Sequence, residues 1–109
     1  MARYVQKDYA AALTGLRAAV SQDPESPDAW FFLGASALLA DEADAGIDAL
    51  RRTLALGSTP YEEEAHFYLA KGLVRKGSVS AARDHLRKTV ALGGDLESAA
   101  RELLQRLPP

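Results

Sequence analysis

Laid over itself with an offset of 36, the chain pairs Trp30–Ser58 with His66–Gly94, and ten of those 29 positions are identical. The identities are Phe31/Phe67, Leu33/Leu69, Ala45/Ala81, Asp48/Asp84, Leu50/Leu86, Arg51/Arg87, Thr53/Thr89, Ala55/Ala91, Leu56/Leu92 and Gly57/Gly93. Phe32/Tyr68, Gly34/Ala70, Gly46/Ala82, Arg52/Lys88 and Leu54/Val90 are conservative pairs. An offset of 34 adds an incomplete earlier copy, with Ala11, Leu16 and Arg17 over Ala45, Leu50 and Arg51. The same step sets Ala65 and Leu69 over Ala99 and Leu103, a last helix without a partner. Repetition at this period restricts the chain to stacked-repeat architectures, where one unit buries its apolar face only against its neighbours. Composition says what the units are made of. Against 21 Ala and 16 Leu stand 6 Val plus Ile, a strong excess of helix formers over strand formers that predicts an all-helical chain.

Punctuation divides each unit into two helices. Pro27 suits a first turn after Ser26 as N-cap, and Ala29–Ala40 continues the helix until Asp41 and Glu42 interrupt it. The second helix takes Ala43–Leu56, with Ile47, Leu50 and Leu54 at helical spacing, and stops at Gly57. The next unit repeats the plan, from about Tyr61 to Lys76, a break at Gly77 and Ser78, then Val79–Leu92 and the stop Gly93-Gly94. Asp95 is expected to cap a final helix closed by Pro108 and Pro109, and Met1–Gln6 to be the remnant of a first helix whose partner is Asp8–Gln22.

These residues resemble the tetratricopeptide repeat, a helix-turn-helix unit of about 34 residues. Trp30, Leu33, Gly34, Gly46, Leu50 and Thr53 follow the family's spacing, as do His66, Leu69, Ala70, Ala82, Leu86 and Thr89; Tyr9, Ala12, Leu16, Ala19 and Pro24 match its second-helix half. The departures are His66 in place of Trp, Thr53 and Thr89 in place of Ala, Gly57-Ser58 and Gly93-Gly94 in place of Asp-Pro, and a link around Tyr61 two residues longer, expected to loosen the junction before the last full repeat. The resemblance implies an all-α fold, a right-handed superhelical array of antiparallel helix pairs. It would hold a partial first repeat over 1–24, full repeats over 27–58 and 61–94, and a capping helix over 95–107 of a single domain. Gly34 and Gly46, or Ala70 and Ala82, would lie where paired helices cross, because only a small side chain lets the backbones approach.

Several chemistries are excluded as expectations. The chain has no Cys, which removes thiol catalysis and disulfides together. A formal charge of −2 gives no case for nucleic acid or an anionic membrane. Apolar runs such as Ala29–Ala40 are shorter than a membrane span, and residues 1–20 lack a signal-peptide layout. A soluble protein is expected, cytoplasmic before periplasmic, and 9 Arg to 4 Lys points to a GC-rich bacterial source. His66 and His85 lie 19 apart on opposite helices without a further ligand at metal spacing, so His66 reads as a packing residue. Glu62, Glu63 and Glu64 read as acids of a first helical turn, which offset the helix dipole. Neither an enzyme, a metal nor a cofactor is expected.

The resemblance also implies a function. In this family the first helix of each repeat lines a concave groove that holds a protein or peptide segment. Residue by residue, that set is Asp28, Phe31, Phe32, Ala35, Leu38 and Leu39, then Glu64, Phe67, Tyr68, Lys71, Val74 and Arg75, with Ser98, Arg101 and Gln105 from the last helix. Such a groove would be apolar along Phe31 and Phe67, with Lys71, Arg75 and Arg101 on one side. The family's chaperone-binding members grip a C-terminal carboxylate with Lys, Arg and Asn; this chain has no Asn, which argues against that role. The alternative to a binding module is an assembly segment that packs on upstream repeats, a tethered domain or a second copy. A homodimer through the N-terminal edge is the form expected if Tyr4, Val5, Leu13 and Leu16 are left partly uncovered.

Overall fold

A computed structural model describes the backbone of residues 2–109 and the side chains of residues 9–109. Its elements, in order, are α1 (Ala2–Gln22), α2 (Pro27–Leu39), α3 (Ala43–Leu56), α4 (Glu62–Arg75), α5 (Val79–Leu92) and α6 (Glu97–Arg106). There is no strand among the described residues, and consecutive helices pack on one another to give an all-α array of stacked helix pairs, α2 with α3 and α4 with α5. The first helices of the two pairs, α2 and α4, also touch.

Local chemistry sets the helix ends. Ser26 accepts a hydrogen bond from the Ala29 amide at 3.2 Å, and Pro27 occupies the first turn where its missing N–H costs nothing. The two full repeats close their first helices in the same way. After α4, Gly77 is left-handed (φ 80°), its amide donating to the Val74 carbonyl at 3.0 Å and the Ser78 amide to that of Leu73 at 2.9 Å. After α2 the place of Gly77 is taken by Asp41 (φ 63°), with the Asp41 amide on Leu38 and the Glu42 amide on Ala37 at 3.1 and 2.8 Å.

Two expectations about the ends are corrected. α1 is one unbroken helix rather than a remnant plus a partner; nothing between Gln6 and Asp8 is a helix breaker, so the chain continues at no cost. Asp95 does not cap α6. Leu96 holds that position without a side-chain cap, and its amide instead donates to Oε2 of Glu63 on α4 at 3.2 Å. The acid at position 63 therefore ties α6 to α4 besides complementing its own helix dipole.

Packing follows the repeat. Gly34 lies against Leu50, where a methyl group would come within 2.6 Å of Cγ, and Gly46 lies against Leu38, where it would come within 2.8 Å. Helix backbones cross at these small residues. Leu50, Leu69 and Leu86 are fully buried, and burying a leucine contributes about 1.5–3 kcal/mol. Thr53 and Thr89, in place of the family's Ala, are also buried, each hydroxyl donating at 3.0 Å to a carbonyl one turn back, Ala49 and His85 respectively.

Candidate partner-binding groove

On α2 and α4 the implied groove residues divide into two stripes one residue apart. Asp28, Phe32, Ala35 and Leu39, and by repetition Glu64, Tyr68, Lys71 and Arg75, share the open face. Phe31 and Leu38, and with them Phe67, turn into the seam between helices. Phe31 and Phe67 are 6% and 8% exposed, which corrects the expectation that they form the apolar floor of a groove. Phe31 stacks on Tyr61 with ring centroids 4.6 Å apart and planes 3° apart. The accessible aromatic is its neighbour Phe32, 43% exposed, edge-on to both Phe31 and Tyr61.

Ala35, Leu38 and Leu39 of α2 face Tyr68, Lys71 and Arg75 of α4 across a recess of about 150 Å³. A space of that size takes a benzene-sized group. Leu39, 63% exposed, stands at its edge. The two cations on its α4 side differ. Arg75 donates to the Leu38 carbonyl at 2.8 Å and lies 3.8 Å from the Asp41 carboxylate, so it is partly spent on closing the end of α2. Lys71 stands 5.4 Å above the Phe67 ring, and among the described residues no carboxylate pairs with it.

The remaining implied residues lie apart from the recess. Asp28 accepts from the Thr59 hydroxyl at 3.0 Å, and the same hydroxyl accepts from the Tyr61 amide at 3.1 Å. With the Phe31–Tyr61 stack, these bonds pin the longer link between repeats, contrary to the expectation that it loosens the junction. Glu64 and Val74 are half-buried, and Ser98 and Gln105 are exposed on or beside α6 without joining the recess. Arg101 pairs with Glu97 one turn away at 2.9 Å. Of the expected N-terminal edge, Tyr4 and Val5 lie outside the described side chains. Leu13 is 1% exposed in a core patch with Leu33, Ala37 and Ala49, so the helices of the next repeat already cover it.

Two features were not among those expected, the stacking of Tyr61 on Phe31 and the meeting of the two histidines. His66 Nδ1 and His85 Nδ1 approach to 2.9 Å. The signal was partly available: His66 lies ten residues before Lys76 and His85 seven after Ser78, so a helical hairpin sets them at levels within one turn of each other. Burial pushes both imidazoles below their ordinary pKa, with Lys88 adding to the effect. Among the described residues no third His, Cys, Asp or Glu joins them as a metal ligand.

With this geometry in place, comparison with known proteins decides the family. The model of the tetratricopeptide repeat matches residues 1–62, more than half the chain. The chain belongs to the tetratricopeptide-repeat family. Among solved structures it is similar to the type III secretion translocator chaperone SycD of Yersinia enterocolitica, at a TM-score of 0.83 and 19% identity, covering 95% of this chain and 74% of that one. At that identity the likeness is one of fold, a tetratricopeptide-like helical solenoid. No curated protein sequence matches the chain. As a tetratricopeptide-repeat protein it is a protein-interaction module, and no helix among the described residues is long and apolar enough to cross a membrane.

Proposed function

We propose that this tetratricopeptide-repeat chain is a non-catalytic adaptor that takes a segment of a partner protein along the open face of α2 and α4. One apolar side chain of the partner enters the recess between Leu39 and Tyr68, and an acidic group beside it meets Lys71. The observation that carries this reading is the recess itself. It combines an aliphatic wall, a half-buried tyrosine and an unneutralised ammonium within one helical turn of each other, flanked by the exposed Phe32. Exposed apolar groups gathered beside a few polar ones mark interaction surfaces, and the structural match to a chaperone is in keeping with a protein ligand.

The test begins with proteins retained by the immobilised chain, identified by mass spectrometry. Their segments are then titrated calorimetrically against the parent, Leu39→Asp, Lys71→Glu and Leu92→Asp. Leu92, 46% exposed on α5, is an apolar control away from the recess. Loss of the anchor contact should weaken binding by about 2 kcal/mol. Charge reversal at Lys71 should act on the association rate and its salt dependence. Binding unchanged by Leu39→Asp and Lys71→Glu, in variants of normal helicity, would refute the groove.

A further inference from the structure

His66 on α4 and His85 on α5 are the chain's two histidines, and neither takes part in the recess. Their Nδ1 atoms are 2.9 Å apart and their rings lie 5.2 Å apart at 30°. A nitrogen–nitrogen contact this short is a hydrogen bond, so one Nδ1 bears the proton and the other is bare. Neutral rings of opposite tautomer meet that condition, and so does a pair carrying one extra proton. Two imidazolium rings do not, because each Nδ1 would then point an N–H at the other. The offset of 36 that relates the repeats shows what the pair replaces: Trp30 and Ala49, one large group and one small. In the later repeat two titratable rings share that space, and His66 is only 8% exposed.

We propose that the His66–His85 contact is an acid-sensitive latch on the α4–α5 hairpin, closed while one Nδ1 is bare and opened when both rings are protonated. The charges acting on it come from three helices. Lys88 of α5 and Arg51 of α3 oppose protonation, whereas Glu62 of α4 and Asp84 of α5 favour it. Burial is the largest influence and disfavours the charged rings, so each folded pKa lies below its ordinary 6.5. The unfolded chain then binds more protons than the folded one as pH falls below that value, and stability present above about pH 6.5 is lost on acidification. Because α4 also carries Tyr68, Lys71 and Arg75, opening the hairpin removes one wall of the recess.

The experiment is urea unfolding of the full chain, followed by helical circular dichroism between pH 7.5 and 5. The parent is compared with the double variant His66→Trp/His85→Ala, which installs the residues of the earlier repeat. Each proton taken up on unfolding multiplies the unfolding constant by about ten per pH unit. The parent should therefore lose stability by tenfold to a hundredfold from pH 6.5 to 5, and the double variant by less than threefold. The two proteins share every other titratable group, so the difference between their pH dependences belongs to the pair. Equal pH dependence in the two proteins overturns the proposal. So does zinc at 100 µM, pH 7.5, if it raises the parent's urea midpoint and not the variant's, since the pair would then be a metal site. If the double variant does not fold, the imidazole nitrogen shifts of the parent decide: one Nδ1–H and one Nε2–H tautomer titrating together below 6.5 uphold the latch, and two independent titrations at the ordinary value end it.

Discussion

Gly34 and Gly15 are both helical glycines, yet the same substitution should move stability in opposite directions at the two. Replacing glycine by alanine inside a helix is worth about 1 kcal/mol in propensity. At Gly15 on α1 nothing lies within 4 Å of the new methyl group, so Gly15→Ala should realise most of that gain. At Gly34 the methyl would stand 2.6 Å from Leu50 Cγ, 2.9 Å from its Cδ2 and 3.1 Å from its backbone nitrogen. Leu50 is 0% exposed, so neither its branch point nor its backbone can retreat without moving α3 away from α2. Overpacking of this kind costs about 1–3 kcal/mol. Set against the propensity gain, Gly34→Ala should lose up to about 2 kcal/mol, which for a domain of this size lowers Tm by up to about 8 °C, while Gly15→Ala raises it by up to about 4 °C. Thermal and urea unfolding followed at 222 nm measure both. A Gly34→Ala protein melting at or above the parent would show that the α2–α3 crossing is not closed at this residue, and the packing argument would fail.

The two left-handed helix ends offer a second comparison, because Asp41 and Gly77 hold the same position in successive repeats with φ of 63° and 80°. Asp41→Gly should stabilise by about 0.5–1 kcal/mol and Gly77→Asp should cost a similar amount; equal and unchanged urea midpoints would contradict the shared cap. Its weak ion pair with Arg75, at a carboxylate 93% exposed, does not alter the sign. At the C-terminal end the Glu63 carboxylate fills the space beside Gly94 and accepts from the Leu96 amide. Gly94→Ala should displace it and cost about 1 kcal/mol. In a Glu63→Ala background the same change should cost almost nothing, and additive losses in that double-mutant cycle would break the link.

Most of the architecture was legible in the sequence because local and periodic signals set it. Ser26-Pro27, Gly57, Gly77 and Gly93 mark ends that a few adjacent residues decide, and Gly34 and Gly46 mark crossings that tolerate no larger side chain. The break expected near Gln6 failed for the same reason in reverse: it came from the repeat pattern, with no residue on hand to stop a helix. Helical spacing likewise gathered Ala35, Leu39, Tyr68, Lys71 and Arg75 onto one face. It did not separate Phe31 from Phe32 or Phe67 from Tyr68, which differ by one position and by whether the neighbouring repeat covers them. That coverage is a tertiary matter: Tyr61, thirty residues along, lies flat on Phe31 and takes it out of solvent. The meeting of His66 with His85 belongs to the same class. A helix of period 3.6 tells which residues share a side, and only the packing of a second helix against it decides which of them touch a ring, a proton or water.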